Sequence, residues 1–287
     1  MANLDSDIAN LIIKDLDVSF DDIVGLQEVK DILEEAVIRP RERPDLYSGI
    51  RAPPKGILLY GPPGNGKTYI CKALANECKC TFFVLSAASV MNKLVGESEK
   101  TIKKIFEAAE YMAPSIIFID EIDSMLTART EKENEASRRL KTEFLVQMEG
   151  MQSAKRGDVL VIGATNLPKE LDSAARRRFS KAVYVDHPDP EARREMVLRN
   201  LKGVEYRLPE SDMKKLVKML EYYSASEIRN IVAEVSMMPL RELQRSEFKR
   251  IKSDDLRKIV LGDFEQATKK TKPILTKEEL EKYKNAI

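Results

Sequence analysis

The 287 residues hold one histidine, His187, and only three cysteines, Cys71, Cys78 and Cys80. So few imidazole and thiol groups argue against a zinc site and against nucleophilic catalysis through histidine. The cysteines fall on a predicted helix and strand, where reduced, partly buried thiols are expected. There is no run of about 18 apolar residues, so nothing reads as a membrane span. The opening MANLDSDIAN is acidic and polar, unlike a secretory leader. An excess of one charge is also lacking: 48 basic residues stand against 47 acidic, a net charge of +1. That excludes a global basic field, so neither nucleic acid binding nor membrane insertion is expected. Internal repeats and low-complexity segments are missing too.

What is present suits a globular chain with a sizeable core: 43% hydrophobic and 33% charged residues. At about 150 residues per domain, the length fits one large domain or two smaller ones. Residues 1–19 read as a lead-in with an apolar stretch at Leu11–Ile13. A helix follows Gly25, with Val29, Leu33 and Val37 at near-helical spacing. Apolar runs at 57–60, 82–85, 116–119, 159–163 and 182–185 then alternate with helical patterns at 67–77, 99–112 and 137–148. Strands that are wholly apolar and separated by helices predict a parallel five-stranded sheet covered on both faces. After Asp186-His187-Pro188 only helical patterns remain, which places a domain boundary near residue 187. The expected division is 1–19, 20–186 and 187–287.

Four motifs carry chemistry. Gly61-Pro62-Pro63-Gly64-Asn65-Gly66-Lys67-Thr68 fits G-x-x-x-x-G-K-[ST] and lies between a predicted strand and helix. Its glycines let backbone amides approach phosphate, and the following helix presents its positive end. Lys67 can reach the β- and γ-phosphates of ATP, and Thr68 can offer a hydroxyl to Mg2+. The apolar run Ile116–Ile119 ends in Asp120-Glu121, which aims two carboxylates at the sheet edge where ligands sit in open α/β folds. Asp120 is expected to hold the metal, directly or through water, and Glu121 to polarise the attacking water. Asn166, ending Gly163-Ala164-Thr165-Asn166, can orient that water or touch the γ-phosphate. Arg176-Arg177-Arg178-Phe179 reads either as a solvated face or as an arginine finger for a neighbouring subunit. The second role is worth roughly 10³–10⁵-fold in rate.

Together these motifs resemble the AAA ATPases over nearly the whole chain, including the opening segment Phe20-Asp21-Asp22-Ile23-Val24-Gly25. Finer stretches resemble the microtubule-severing (meiotic) branch of spastin, katanin and fidgetin, with the spastin group nearest. They are LYSGIRAPPKG from Leu46, SRRLKTEFL from Ser137, Arg241–Leu243 after a proline, and DFEQATKKTKPILTKEELEKY from Asp263. Only about twenty residues separate Leu243 from Asp263, where the ESCRT-disassembling relative carries a long insertion.

The resemblance implies a P-loop NTPase sheet domain followed by a small all-helical lid, and an ATP-dependent homohexamer with a central pore. Ile23, Val24 and Gly25 would lie against the adenine, and Tyr69 joins residues 61–68 in the nucleotide-binding set. Arg177 and Arg178 would arrive from the next subunit. Lys93, Leu94 and Val95 would form a first pore loop, and Glu133 and Asn134 a second. Through that pore the enzyme would pull tubulin C-terminal tails, which places it in the cytoplasm on the cytoskeleton. Another protein oligomer as substrate, and an ATP-gated scaffold with little turnover, are the alternatives. Lys93, with Lys100, Lys103 and Lys104 nearby, would draw in acidic tails unless the last three are simply a solvated face.

Three departures from the family pattern stand out. Leu94 replaces the usual aromatic, Asn134 the usual histidine, and Tyr222 and Ala225 two glycines of the lid turn. The abrupt start and the absence of a recruiting domain read as a catalytic fragment or a reduced member.

Overall fold

Strands β2 (Gly56–Tyr60), β3 (Thr81–Ser86), β4 (Ser115–Asp120), β5 (Val159–Thr165) and β6 (Lys181–Tyr184) all run parallel. The central strands β2, β4 and β5 are buried along almost their full length, as strands covered on both faces must be, while β3 is buried at alternate stretches and the edge strand β6 only at Val183. The computed structural model describes residues 6–87, 98–127, 135–153, 158–244, 248, 250–252 and 255–286.

The sheet is six-stranded, not five-stranded, in the order β1-β3-β4-β5-β2-β6. The extra strand, β1 (Ile12–Ile13), pairs antiparallel with β3 through Ile12 opposite Phe83 and Ile13 opposite Phe82. Two apolar residues are too short to show a period of two, so the sequence marks this segment only as an apolar lead-in. Two compact units divide the chain. The first comprises Met1–Gly61, Lys67–Val185 and Lys284–Ile287, and the second Pro62–Gly66 and Asp186–Tyr283.

In the first unit the two faces of the sheet carry separate cores. Phe83, Leu85, Ile117, Ile119 and Val161 point to one face, packed with α3 (Ser98–Tyr111) and α4 (Glu135–Ser153). Phe82, Ile116, Phe118, Leu160 and Ile162 point to the other, packed with α1 (Gln27–Leu33) and α2 (Lys67–Glu77). This is the alternation of a pleated strand expressed as two cores. The helix expected after Gly25 continues beyond Leu33 as a wider helical turn over Glu34–Ile38. The cysteine expectation is corrected: Cys78 and Cys80 are joined as a disulfide, and Cys71 is the free, buried thiol.

The second unit is helical: α6 (Pro190–Asn200), α7 (Glu210–Met219), α8 (Ala225–Arg241), α9 (Leu261–Lys270) and α10 (Lys277–Lys284). Val197, Leu216, Ile228, Val232, Val235 and Phe264 form its core. Among the described residues no helix is long and apolar enough to cross a membrane.

Candidate active site

The phosphate-loop glycines are fixed by space as well as by backbone angle. Gly61 has φ of +144°, and a Cβ there would stand 2.4 Å from the Val185 carbonyl oxygen. Gly64 has φ of +81°, and its Cβ would meet the Ser226 hydroxyl at 2.4 Å. Any side chain at either place would strain the backbone and fill the space beside the loop. Asn65 is almost wholly buried. Its side-chain oxygen accepts the Ala225 N–H at 3.2 Å, and the Ser226 N–H donates to the Gly64 carbonyl at 3.0 Å. Pro62 is buried, Pro63 exposed, Gly66 half-buried and Tyr69 exposed.

Lys67 starts α2 and is buried, with Nζ donating to the Gly61 carbonyl at 2.9 Å. Burial lowers its pKa from 10.5 to about 8, against the opposing pull of Asp120 and Asp123. An ammonium held in that way is primed to gain from a polyanion. Thr68 Oγ1 donates to Asp120 Oδ2 at 2.9 Å, so the two oxygens expected to hold a metal share one place. One hydroxyl and one carboxylate are a Mg2+ donor set when phosphates and water supply the rest. No cluster of three or more His, Cys, Asp or Glu side chains that could hold a metal occurs among the described residues.

Glu121 follows β4 with φ of +51° and an exposed side chain. The left-handed conformation costs a non-glycine residue about 1–2 kcal/mol. It is held by the Glu121 N–H on Asp120 Oδ1 at 3.0 Å, and by the Ser124 hydroxyl and amide on the Glu121 carbonyl. Asn166, at the end of β5, is half-buried, and its Oδ1 is buried without a hydrogen-bond partner among the described residues. Such an acceptor carries a desolvation cost until a donor arrives, which suits a water or a ligand group.

One supporting residue, Asp123, has no motif to announce it, and it acts through Thr165 of the Gly163–Asn166 motif. Asp123 Oδ1 accepts the Thr165 hydroxyl at 2.5 Å, and Thr165 Oγ1 accepts the Leu167 N–H at 2.9 Å, which brackets Asn166. The only hint in the sequence is an acid one turn beyond Asp120.

The arginines lie on α5 (Ser173–Arg178), whose N-cap Asp172 accepts the Ala174 N–H at 2.7 Å. Asp172 is in turn paired with the buried Lys141 of α4 at 2.8 Å. Arg178 is half-buried and bound to Glu149 at 2.8 Å. Arg177 is exposed, and its side chain makes no hydrogen bond or ion pair among the described residues. Ile23 and Val24 are buried, and Lys30 donates to the Ile23 carbonyl at 2.6 Å; Gly25 takes φ of +69°. Tyr222 has φ of +72°, a conformation glycine adopts freely. Lys100, Lys103 and Lys104 are exposed on α3. The expected pore-loop residues Lys93, Leu94, Val95, Glu133 and Asn134 lie outside the described residues.

Residues 57–187 match the family described as ATPase family associated with various cellular activities (AAA). Spastin of Gallus gallus is 45% identical over 287 residues, covering 98% of this chain and 47% of the relative. The chain thus spans about half the length of the curated relatives it matches. The crystal structure of the FIGL-1 AAA domain in complex with ADP is 40% identical with a TM-score of 0.86, covering 98% of this chain and 95% of that one. A katanin structure, from work on the structural basis of its self-assembly, is 33% identical with a TM-score of 0.81 and covers 100% and 96%. With this agreement over nearly its full length, the chain belongs to the AAA ATPase family, in the group that contains spastin, the fidgetin-like proteins and katanin.

Proposed function

We propose that this ATPase is the motor of a homohexameric mechanoenzyme that severs microtubules by drawing tubulin C-terminal tails through its pore, in the cytoplasm and on the cytoskeleton. The helical region from 187 onward serves as its lid domain. The observation that carries the reading is an ATP site whose parts are present but incomplete within one chain. Thr68 and Asp120 converge, Glu121 is exposed, Asn166 Oδ1 has no partner among the described residues, and Arg177 reaches solvent. A neighbouring copy that supplies Arg177 completes it, in keeping with a katanin relative known for self-assembly. Arg178 serves the same interface once it leaves Glu149.

The residues divide the work as follows. The loop amides of Gly61–Gly66 and the Lys67 ammonium bind the β- and γ-phosphates. Thr68 and Asp120 would hold Mg2+, which would supply positive charge against the phosphoryl group as it transfers. Glu121 accepts a proton from the attacking water as general base. Asn166 Oδ1 accepts from the same water and fixes its direction. Arg177 from the next subunit meets the charge on the transferring phosphoryl group. Ile23, Val24, Gly25 and Tyr69 form the adenosine side.

Disassembly of a different protein oligomer is the second reading; the short Leu243–Asp263 interval counts against it, and Leu94 in place of the pore aromatic leaves it open. The scaffold reading is weakest, because Glu121 and Asn166 are both in place.

Phosphate release, measured over a range of protein concentrations with and without microtubules, tests the proposal. Specific activity should climb with concentration and again with microtubules. A rise with concentration alone leaves the ring and removes tubulin; no rise at all removes both. Glu121→Gln should bind ATP and hold the assembled ring while phosphate release falls at least a hundredfold, the scale of a general base.

A further inference from the structure

The chain's one histidine stands on the phosphate loop. His187 Nδ1 lies 2.9 Å from the side-chain nitrogen of Asn65. An amide NH2 only donates, so Nδ1 must accept, and the imidazole is neutral with its proton on Nε2. The orientation of the amide is fixed separately, because Asn65 Oδ1 accepts the backbone N–H of Ala225 at 3.2 Å. A backbone N–H cannot exchange roles. Asn65 is only 3% exposed, so solvent has little access to replace a lost bond.

The segment carrying His187 is itself pinned. Arg193 donates to the Pro188 carbonyl at 2.8 Å and to the Val217 carbonyl at 2.9 Å. Asp186 Oδ1 accepts the His187 N–H at 2.7 Å. A proton on Nδ1 would set N–H against NH2. Turning the amide over would set NH2 against the Ala225 N–H. Protonation therefore breaks one of the two hydrogen bonds that hold Asn65.

We propose that His187 is a positioning residue for nucleotide binding that acts through Asn65: the neutral ring holds the phosphate loop ready, and the imidazolium releases it. The proposal rests on reading Gly61–Thr68 as the triphosphate loop. On its own segment the ring has Asp186, Asp189 and Arg193 as charged neighbours. From α8 it shares a small pocket with Glu227, whose carboxylate is engaged by Ser224 and by the Ile274 N–H. The loop stretch Pro62–Gly66 carries no charged side chain. Because a triphosphate would attract an imidazolium, the direction of the pH effect decides between release and simple charge attraction.

The test is the Kd for ATPγS with magnesium, by calorimetry from pH 5.5 to 8, on the full chain and on His187→Gln, His187→Leu and Lys67→Ala. The nucleotide's own titration is common to all, so ratios between variants isolate the histidine. From pH 7.5 to 5.5 the parent should lose about three- to tenfold more affinity than His187→Gln, the scale of one ordinary hydrogen bond. His187→Leu, which cannot accept, should be weaker by that factor at every pH. Equal acid loss in His187→Gln, or tighter binding by the parent in acid, overturns the proposal. Lys67→Ala binding like the parent would instead overturn the loop reading beneath it. NMR of the single imidazole in the parent needs no variant: a neutral form protonated on Nδ1 also overturns the proposal.

Discussion

Burial at Lys67 works in opposite directions on stability and on binding. Its folded pKa of about 8 lies below the ordinary 10.5, so between those values the unfolded chain holds more protons and stability rises with pH. Below pH 8 the folded protein carries the burial cost in full, and a bound polyphosphate offsets it. ATP affinity moves the other way. As pH passes 8 the free protein loses the proton that binding needs, and Kd should rise by up to tenfold per pH unit. ATP is fully ionised there, so titration calorimetry between pH 7 and 9.5 reads Lys67 directly; a flat profile would remove the ammonium from phosphate binding. Asp123 matters at the same scale. Truncating it to Ala leaves the buried Thr165 hydroxyl without its acceptor, at about 1–3 kcal/mol. It also frees the Asn166 loop, so kcat should fall further than ATP affinity.

Among the elements, the central parallel strands β2, β4 and β5 were the most legible, because burial on both faces makes each a continuous apolar run. The helical spacing of Leu140, Phe144, Leu145 and Met148 marks the inner face of α4; Leu140, Phe144 and Met148 are buried, and Leu145 packs half-buried against the same core. The antiparallel β1 was not, since its partner lies some seventy residues away and only chain return identifies it. A less visible link joins α4 to α5. Lys141 also donates to the Thr127 carbonyl, and its pairing with Asp172 anchors the cap of the helix that presents Arg177. Lys141→Ala strands a partly buried carboxylate, so urea denaturation should show a loss of about 3 kcal/mol or more. Phosphate release should fall as well, since α5 loses its anchor. Wild-type stability in that variant would mean that Asp172 is satisfied by other means.

At the scale of the whole assembly, the exposed Arg177 makes a prediction that no single chain can satisfy. Arg177→Ala should lose turnover while keeping ATP affinity within a few-fold. Lys67→Ala should lose binding. Mixed together, the two defective proteins should regain part of the activity, because an intact ATP site on one can face an intact arginine on the other. A mixture as inactive as its components would place Arg177 within its own subunit.

The amino-acid sequence determined the alternation of elements, the phosphate loop and the carboxylates after β4, since each depends on residue types at fixed local spacing. Only the tertiary structure decided that Thr68 meets Asp120, that Asn166 keeps an oxygen unpaired among the described residues, that Arg178 is held by Glu149 while Arg177 is not, and that the single histidine rests on Asn65. Those contacts join residues tens to more than a hundred positions apart, and only packing of the folded chain brings such groups within hydrogen-bonding distance.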